Sequence, residues 1–228
     1  MNKAYLDPHE VDELEQQATC LRDQLLIRML FRLACRISEV LAVGVNDIDF
    51  DQGMVRILHL KSRVRLYCPS CGGRISRSSI FCSRCGIRVE EAVADQTESR
   101  RMRNVPLDRK TLEMIRFYIE HNGPVSRNGK QLLFGINRHH AWEIVSRCAE
   151  KAGLGTLVNP ETGKTRGISP HRLRDSFAVM AVRRDGSTDG VRMLQEQLGH
   201  ASIGTTMRYR KVAGQELGEW YQKLWDDG

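Results

Sequence analysis

Two cysteine pairs constrain one part of this chain more tightly than any other feature. Cys68-Pro-Ser-Cys71 and Cys82-Ser-Arg-Cys85 are CxxC motifs separated by ten residues, and a glycine follows each, Gly72 and Gly86. Such a motif turns two thiolates onto one tight knuckle, and the following glycine relieves the backbone. Two knuckles together complete a tetrahedral four-cysteine zinc site. Sulfur then fills every coordination position and none is left for water, so the metal expected here is structural zinc rather than catalytic zinc. Two disulfides fit a cytosolic protein poorly, and two closely spaced CxxC motifs favour metal over redox chemistry. Cys20, Cys35 and Cys148 stand among apolar helical residues and read as inert core thiols.

On either side of the cysteine segment the hydrophobic period changes. Asp7 as N-cap, Pro8 at the first helical position and Glu10 three residues after the cap open a first helix. A second, buried helix is expected from Leu21 to Ala34, and a third from Arg36 to Val43, stopped by Gly44. Ile48 and Phe50 suggest a short strand, Asp51-Gln52-Gly53 a turn and Met54 to Leu60 a second strand, with Arg103 to Pro106 as a third. After Asp108 the reading is helical: Thr111–His121, Arg138–Ala152, His171–Arg183, Asp189–Leu198, a short helix at Ile203–Tyr209 and a last one from Gly214 to Trp225. Asn159 to Gly167 reads as a polar loop. The fold class is α+β, mainly α, with one small antiparallel sheet. One domain spans 1–228 and carries a zinc-ribbon module inserted at 66–90.

Lys and Arg number 35 against 28 Asp and Glu, a formal net charge of +7. That excess suits a polyanion, because neutralising phosphates releases counterions. The arginines also cluster, at Arg100, Arg101 and Arg103, at Arg183 and Arg184, and at Arg208 and Arg210. A solvated charged face is the ordinary account of any one cluster. No apolar run approaches the roughly 20 residues that span a bilayer, and residues 1–12 lack the apolar core of a signal peptide. A cytoplasmic protein with no membrane segment is the default expectation.

The C-terminal half contains His171-Arg172-Leu173-Arg174, then Leu198-Gly199-His200, then Tyr209 nine residues after His200. Far upstream stands Arg36-Ile37-Ser38-Glu39. Taken singly, each residue has an ordinary explanation: a helix cap, a helix-terminal cation, a half-buried aromatic, a surface ion pair. Together, in this order and spacing, they resemble the tyrosine recombinases, the family of phage integrases and Xer proteins. The resemblance implies strand cleavage and rejoining in site-specific recombination or integration of double-stranded DNA, by phosphodiester transesterification.

Residue by residue, the resemblance implies that Arg36 and Arg174 clamp the scissile phosphate. Fixed guanidinium forks suit that task, since in-line attack builds charge on the non-bridging oxygens. His200 adds a hydrogen bond to the same oxygens. Tyr209 is the nucleophile, a phenol of ordinary pKa near 10 that needs cationic neighbours or a base. His171 serves as that base or as a phosphate contact, and Glu39 buttresses the site. Lys61 is the general acid on the hairpin. Leu58-His59-Leu60-Lys61 matches its outgoing arm and Arg103-Asn104-Val105-Pro106-Leu107 its return, with the zinc module in place of the usual short turn. Asp175 departs from the pattern, since many relatives carry His after the second arginine; it reads as a support position.

The covalent 3′-phosphotyrosyl link would conserve the bond energy, so neither ATP nor a catalytic metal is expected. Relatives usually carry a further N-terminal helical domain, so the chain is expected to be a minimal enzyme or an excised catalytic domain. Self-association on DNA as a dimer or tetramer is implied, and the last helix, with Leu217, Trp220, Tyr221, Leu224 and Trp225, could dock into a neighbouring subunit. The arginines around the cysteine segment (Arg63, Arg65, Arg74, Arg77, Arg84 and Arg88) favour a ribbon that touches DNA or protein over one that merely braces a hairpin. Two rival activities remain: relaxation of supercoils as in type IB topoisomerases, and a non-catalytic zinc-ribbon DNA-binding or assembly factor.

Overall fold

The protein is described by a computed structural model covering residues 3–76, 78–159 and 162–212, without the side chains of 59–65, 94–101, 211 and 212. It divides into two compact units, one formed by Met1–Ile57 with Arg103–Gly228 and the other by Leu58–Met102.

The larger unit is built around α2 (Leu21–Arg32), whose Leu25, Leu26, Ile27, Met29, Leu30 and Phe31 are buried in the core. An apolar helix of this kind needs partners on several faces. It packs against α1 (Pro8–Gln16), α4 (Arg109–Glu120), α5 (Arg138–Lys151) and α6 (Pro170–Arg184). Helix α1 starts where its sequence signals place it, with Asp7 at the N-cap, Pro8 at the first turn and the Glu10 carboxylate accepting from the Asp7 N–H at 2.8 Å. Arg28, 3% exposed, ties this packing together from α2: its guanidinium reaches Glu15 of α1, Asp108 at the cap of α4 and Thr111. The last helices, α7 (Thr188–Leu198) and α8 (Ile203–Val212), pack on α6 and on each other.

Helix α2 ends two residues earlier than its hydrophobicity suggests. Ala34 lies in the left-handed region at φ 49, a conformation that costs a non-glycine residue roughly 1–3 kcal/mol. The turn leads directly into Arg36 at the cap of α3 (Ile37–Val40), which is far shorter than the helix to Val43 read from the sequence. A 3-10 turn, Val45–Asp47, follows. Gly44 marks the change because a Cβ there would lie 2.9 Å from the Gln131 carbonyl oxygen, and the Gly44 backbone bridges to Leu132.

The sheet has four strands rather than three. Strand β1 (Ile48–Asp49) pairs antiparallel with β2 (Met54–Tyr67) through Ile48↔Val55, and β2 also pairs with β3 (Arg74–Ile75) and β4 (Val93–Pro106). Both long strands extend well past the bounds read from the sequence, residues 54–60 and 103–106. Two small hairpins have no counterpart in the sequence reading. β5 (Val125–Arg127) and β6 (Lys130–Leu132) pair around Asn128-Gly129, both at positive φ, the turn chemistry that Asn-Gly favours. β7 (Leu157–Val158) and β8 (Thr165–Arg166) pair across what reads as a loop from Asn159 to Gly167. The helix expected from Gly214 to Trp225 lies outside the described residues.

The smaller unit holds the cysteine segment. Its two knuckles have the same backbone pattern. The Gly72 N–H donates to the Cys68 carbonyl at 3.0 Å and the Cys68 N–H to the Gly73 carbonyl at 2.8 Å. In the second knuckle Gly86 donates to Cys82 and Cys82 to Ile87, both at 2.9 Å. Gly72 and Gly86 take φ values of 64° and 73°, as the motif requires.

Candidate active site

Arg36 leaves the left-handed turn at Ala34 with its backbone N–H donating to Glu39 Oε2 at 3.0 Å and its Nη1 pairing with Glu39 Oε1 at 2.9 Å. The Glu39 side chain is 2% exposed and takes a second guanidinium, with Arg103 Nη2 at 2.8 Å from Oε2. Arg103 comes from β4, and its Nε also donates to the Gln197 carbonyl at 3.1 Å, near the end of α7. It therefore links the strand, the cap of α3 and the turn that carries His200. At that turn Gly199 ends α7 at φ 64, and a Cβ there would sit 2.7 Å from Arg103 Nη1.

Arg174, 2% exposed on α6, is fixed by two backbone oxygens. Nη1 donates to the Ala34 carbonyl at 2.6 Å and Nη2 to the Leu198 carbonyl at 2.8 Å. The unusual backbone at Ala34 is thus used to aim a carbonyl at this arginine. Nη2 also meets His200 Nε2 at 3.1 Å. Arginine has only donors, so Nε2 accepts, and His200 Nδ1 carries the proton toward Thr206 Oγ1 at 2.9 Å. Burial and the positive charges of Arg174, Arg36 and Arg103 push His200 down to about 4, which keeps the ring neutral at ordinary pH.

Tyr209 on α8 stacks near His200, with ring centroids 6.3 Å apart. Its hydroxyl donates to Asp175 Oδ1 at 2.8 Å. Burial first, then the Asp175 carboxylate, holds the phenol well above its ordinary value, so it is protonated until something takes its proton. The other carboxylate oxygen of Asp175 faces Arg172 Nη1 at 3.2 Å and His171 Nε2 at 3.7 Å. His171 is 73% exposed in its side chain; among the described hydrogen bonds none joins it to Tyr209.

These side chains line one open cavity of about 520 Å³, bounded by Arg36, His171, Arg172, Arg174, Asp175, His200, Arg208 and Tyr209. The cap of α3, helix α6, the turn after α7 and helix α8 thus bring the guanidinium groups of Arg36 and Arg174, the imidazole of His200 and the phenol of Tyr209, among others, to one concave surface. Such a surface can hold a tetrahedral anion by charge-assisted hydrogen bonds and present a hydroxyl to it. Lys61 lies on β2, and its side chain is outside the described residues.

The four module cysteines form a separate candidate metal centre. Their sulfurs all lie within 4.8 Å of one another, with Cys68–Cys85 at 3.7 Å and Cys71–Cys82 at 3.6 Å. A disulfide needs about 2.05 Å, whereas zinc–sulfur bonds of about 2.3 Å in a tetrahedron place sulfurs about 3.8 Å apart. The spacing fits a metal and excludes cross-links. Backbone N–H groups of Cys85 and Arg84 push the Cys82 thiol down to about 6, toward the thiolate a metal requires. Cys35 is buried, and burial pushes its thiol up to about 12; Cys20 is exposed and is not a core thiol.

Three functional neighbours escape a motif reading. Arg103 was visible as a member of a charge cluster and as the first residue of the return strand but with no contact assigned to it, and Thr206 as an unremarked residue between His200 and Tyr209. Asp175 was visible as a departure at a known position, which was the signal available for a special contact.

A family model described as the phage integrase family matches residues 4–71 and 73–216. Among curated proteins, the chain is 31% identical over 201 residues to tyrosine recombinase XerD of Bifidobacterium longum (strain NCC 2705), covering 88% of this chain and 53% of that protein. It is 28% identical over 213 residues to tyrosine recombinase XerC of Roseiflexus sp. (strain RS-1), covering 91% of this chain and 55% of that one. The chain therefore spans about half the length of these relatives. Among solved structures, XerA recombinase aligns with a TM-score of 0.62 at 19% identity, over 98% of this chain and 64% of that one. The catalytic domain of bacteriophage HP1 integrase aligns with a TM-score of 0.54 at 16% identity, over 96% of this chain and 94% of that one. These likenesses show a shared fold.

Proposed function

The chain belongs to the phage integrase family, and from that premise we propose that it cleaves and rejoins DNA strands in site-specific recombination through a covalent link to Tyr209. The observation that carries this reading is the convergence of Arg36, Arg174, His200 and Tyr209 on one cavity. Arg36 and Arg174 hold the non-bridging oxygens of the scissile phosphate, and the charge that builds there in the transition state is met by donors already fixed by Glu39, Ala34 and Leu198. His200, whose Nε2 accepts from Arg174 in the free site, donates to the same oxygens once the charge of the bound phosphate protonates Nε2, and His171 stands at the rim as a further phosphate contact. The Tyr209 oxygen attacks phosphorus in line and forms a 3′-phosphotyrosyl link. The 5′ oxygen leaves with a proton supplied by Lys61. A 5′ hydroxyl of the partner strand then gives its proton to Lys61, attacks phosphorus and expels Tyr209, so the bond energy is conserved and neither ATP nor a catalytic metal is required.

The partners proposed are double-stranded DNA and further copies of this chain assembled on it, with the segment after Gly214 exchanged between neighbours. XerH, a solved neighbour at 20% identity and TM-score 0.61, is described in complex with its palindromic difH substrate after cleavage. The insert at 66–90 is read as a zinc ribbon in which Cys68, Cys71, Cys82 and Cys85 hold one structural zinc ion; the sulfur spacing and paired knuckles support it. When bound, the metal would fasten the two knuckles to each other.

The test is a nicked suicide duplex that traps the covalent adduct. Wild type is expected to accumulate a protein–DNA species that Tyr209→Phe does not form. Lys61→Met is expected to cleave slowly and to recover on a substrate whose 5′ bridging oxygen is sulfur, a leaving group that needs no proton. DNA binding without any adduct would instead favour a non-catalytic DNA-binding factor, and relaxation of supercoils by a monomer a topoisomerase.

A further inference from the structure

The nucleophile needs somewhere to send its proton, and its neighbour in the fold is a carboxylate. We propose that Asp175 is the catalytic base of this site, taking the Tyr209 proton as the phenol attacks; the inference rests on the cleavage reading above. Tyr209 Oη donates to Asp175 Oδ1 at 2.8 Å, already the geometry of transfer. The two residues come from α6 and α8, elements packed directly on each other. Asp175 is 7% exposed and is oriented by Arg172 Nη1 at 3.2 Å on its other oxygen. His171 meets that far oxygen at 3.7 Å and is 73% exposed in its side chain, so the imidazole is placed to support the carboxylate rather than to receive the phenolic proton.

A phenol is a weaker acid than a carboxylic acid by about six pKa units in water, so free tyrosinate does not form first. Transfer instead accompanies bond formation. The Tyr209 O–H bond breaks and its electron pair forms the oxygen–phosphorus bond. The proton passes to Asp175 Oδ1, and the phosphorus–O5′ bond breaks with Lys61 protonating the leaving oxygen. In rejoining, Asp175 returns the proton to the departing Tyr209 oxygen.

The experiment is single-turnover cleavage of the nicked duplex at saturating DNA. Asp175→Asn keeps an oxygen that accepts the tyrosine hydrogen bond but cannot take its proton. It is expected to slow adduct formation on the order of 10²–10⁴-fold, with DNA affinity unchanged. Asp175→Glu, which restores a carboxylate, is expected to recover at least about tenfold over Asn, whereas Arg172→Met, which removes only the ion pair to Asp175, is expected to lose less than Asp175→Asn. The loss in Asp175→Asn is expected to exceed that in His171→Gln. Cleavage by Asp175→Asn within about threefold of wild type, or a larger loss in His171→Gln, overturns the assignment. Absence of adduct from the wild type overturns the cleavage reading and this inference with it, whereas a wild-type adduct with unimpaired Asp175→Asn overturns the inference alone.

Discussion

Replacing Arg103 with methionine tests whether the proposed phosphate clamp is held from β4. The substitution keeps an unbranched apolar stem for packing and removes the guanidinium. Three contacts go: Nη2 to Glu39 Oε2 at 2.8 Å, Nε to the Gln197 carbonyl at 3.1 Å and Nη2 to Cys35 Sγ at 3.4 Å. Glu39 is almost fully buried and would become a buried carboxylate with one guanidinium instead of two. Breaking a buried pair outright costs about 3–5 kcal/mol, but Glu39 keeps Arg36 Nη1 and the Arg36 N–H. The loss is therefore nearer one charge-assisted hydrogen bond plus an unsatisfied carbonyl, about 2–4 kcal/mol. For a chain of this size each kcal/mol moves Tm by about 2–4 °C, so a fall of roughly 5–15 °C is expected in thermal unfolding. Adduct formation should fall as well, because Glu39 sets the Arg36 side chain. A methionine variant that melts within about 1 °C of wild type and forms adduct at the wild-type rate would refute the role given to this ion network.

Zinc analysis of protein purified under reducing conditions should find one ion per chain, lost in Cys68→Ser; metal-free wild-type protein would sink the four-cysteine zinc assignment. His200 should titrate near 4 by NMR in the free protein and shift upward when DNA brings a phosphate to the site. Because its folded value lies below the unfolded value of about 6.5, the unfolded state binds more protons between the two. The contribution of His200 to stability is thus present above about 6.5 and is lost as pH falls toward 4, and Thr206→Val should alter the titration by removing the Nδ1–H acceptor. Deleting the segment after Gly214 should weaken assembly on DNA, read by native gel or sedimentation; unchanged multimers would count against exchange of that segment.

The helices were legible because burial of one face imprints a period on the sequence, as in α2 and α4, and because caps such as Asp7 carry their own chemistry. Ends set by tertiary contact were not. Helix α3 stops at Val40 because Gly44 must pass close to β6, and β2 and β4 outrun their apolar alternation because they pair with each other. The β5–β6 hairpin did carry a signal, Asn128-Gly129, in a stretch otherwise too polar to read as strands.

The candidate site divides in the same way. Arg36, Arg174, His200 and Tyr209 could be picked out from the sequence because the proposed phosphate clamping and phenol attack need particular side chains, and some of the links between them are short, such as the nine residues from His200 to Tyr209. The four cysteines are legible for the same reason, since a knuckle is a local structure. What each of those side chains touches was decided by packing. Arg174 meets the Ala34 carbonyl 140 residues away, Arg103 meets Glu39 across 64, and Tyr209 meets Asp175 across 34. Those separations leave no periodic trace, because a contact between two helices depends on where each is seated in the core and not on the residues between them. The sequence by itself determined which chemistry is present; the seating of α8 against α6 decided that a carboxylate rather than an imidazole stands at the tyrosine hydroxyl.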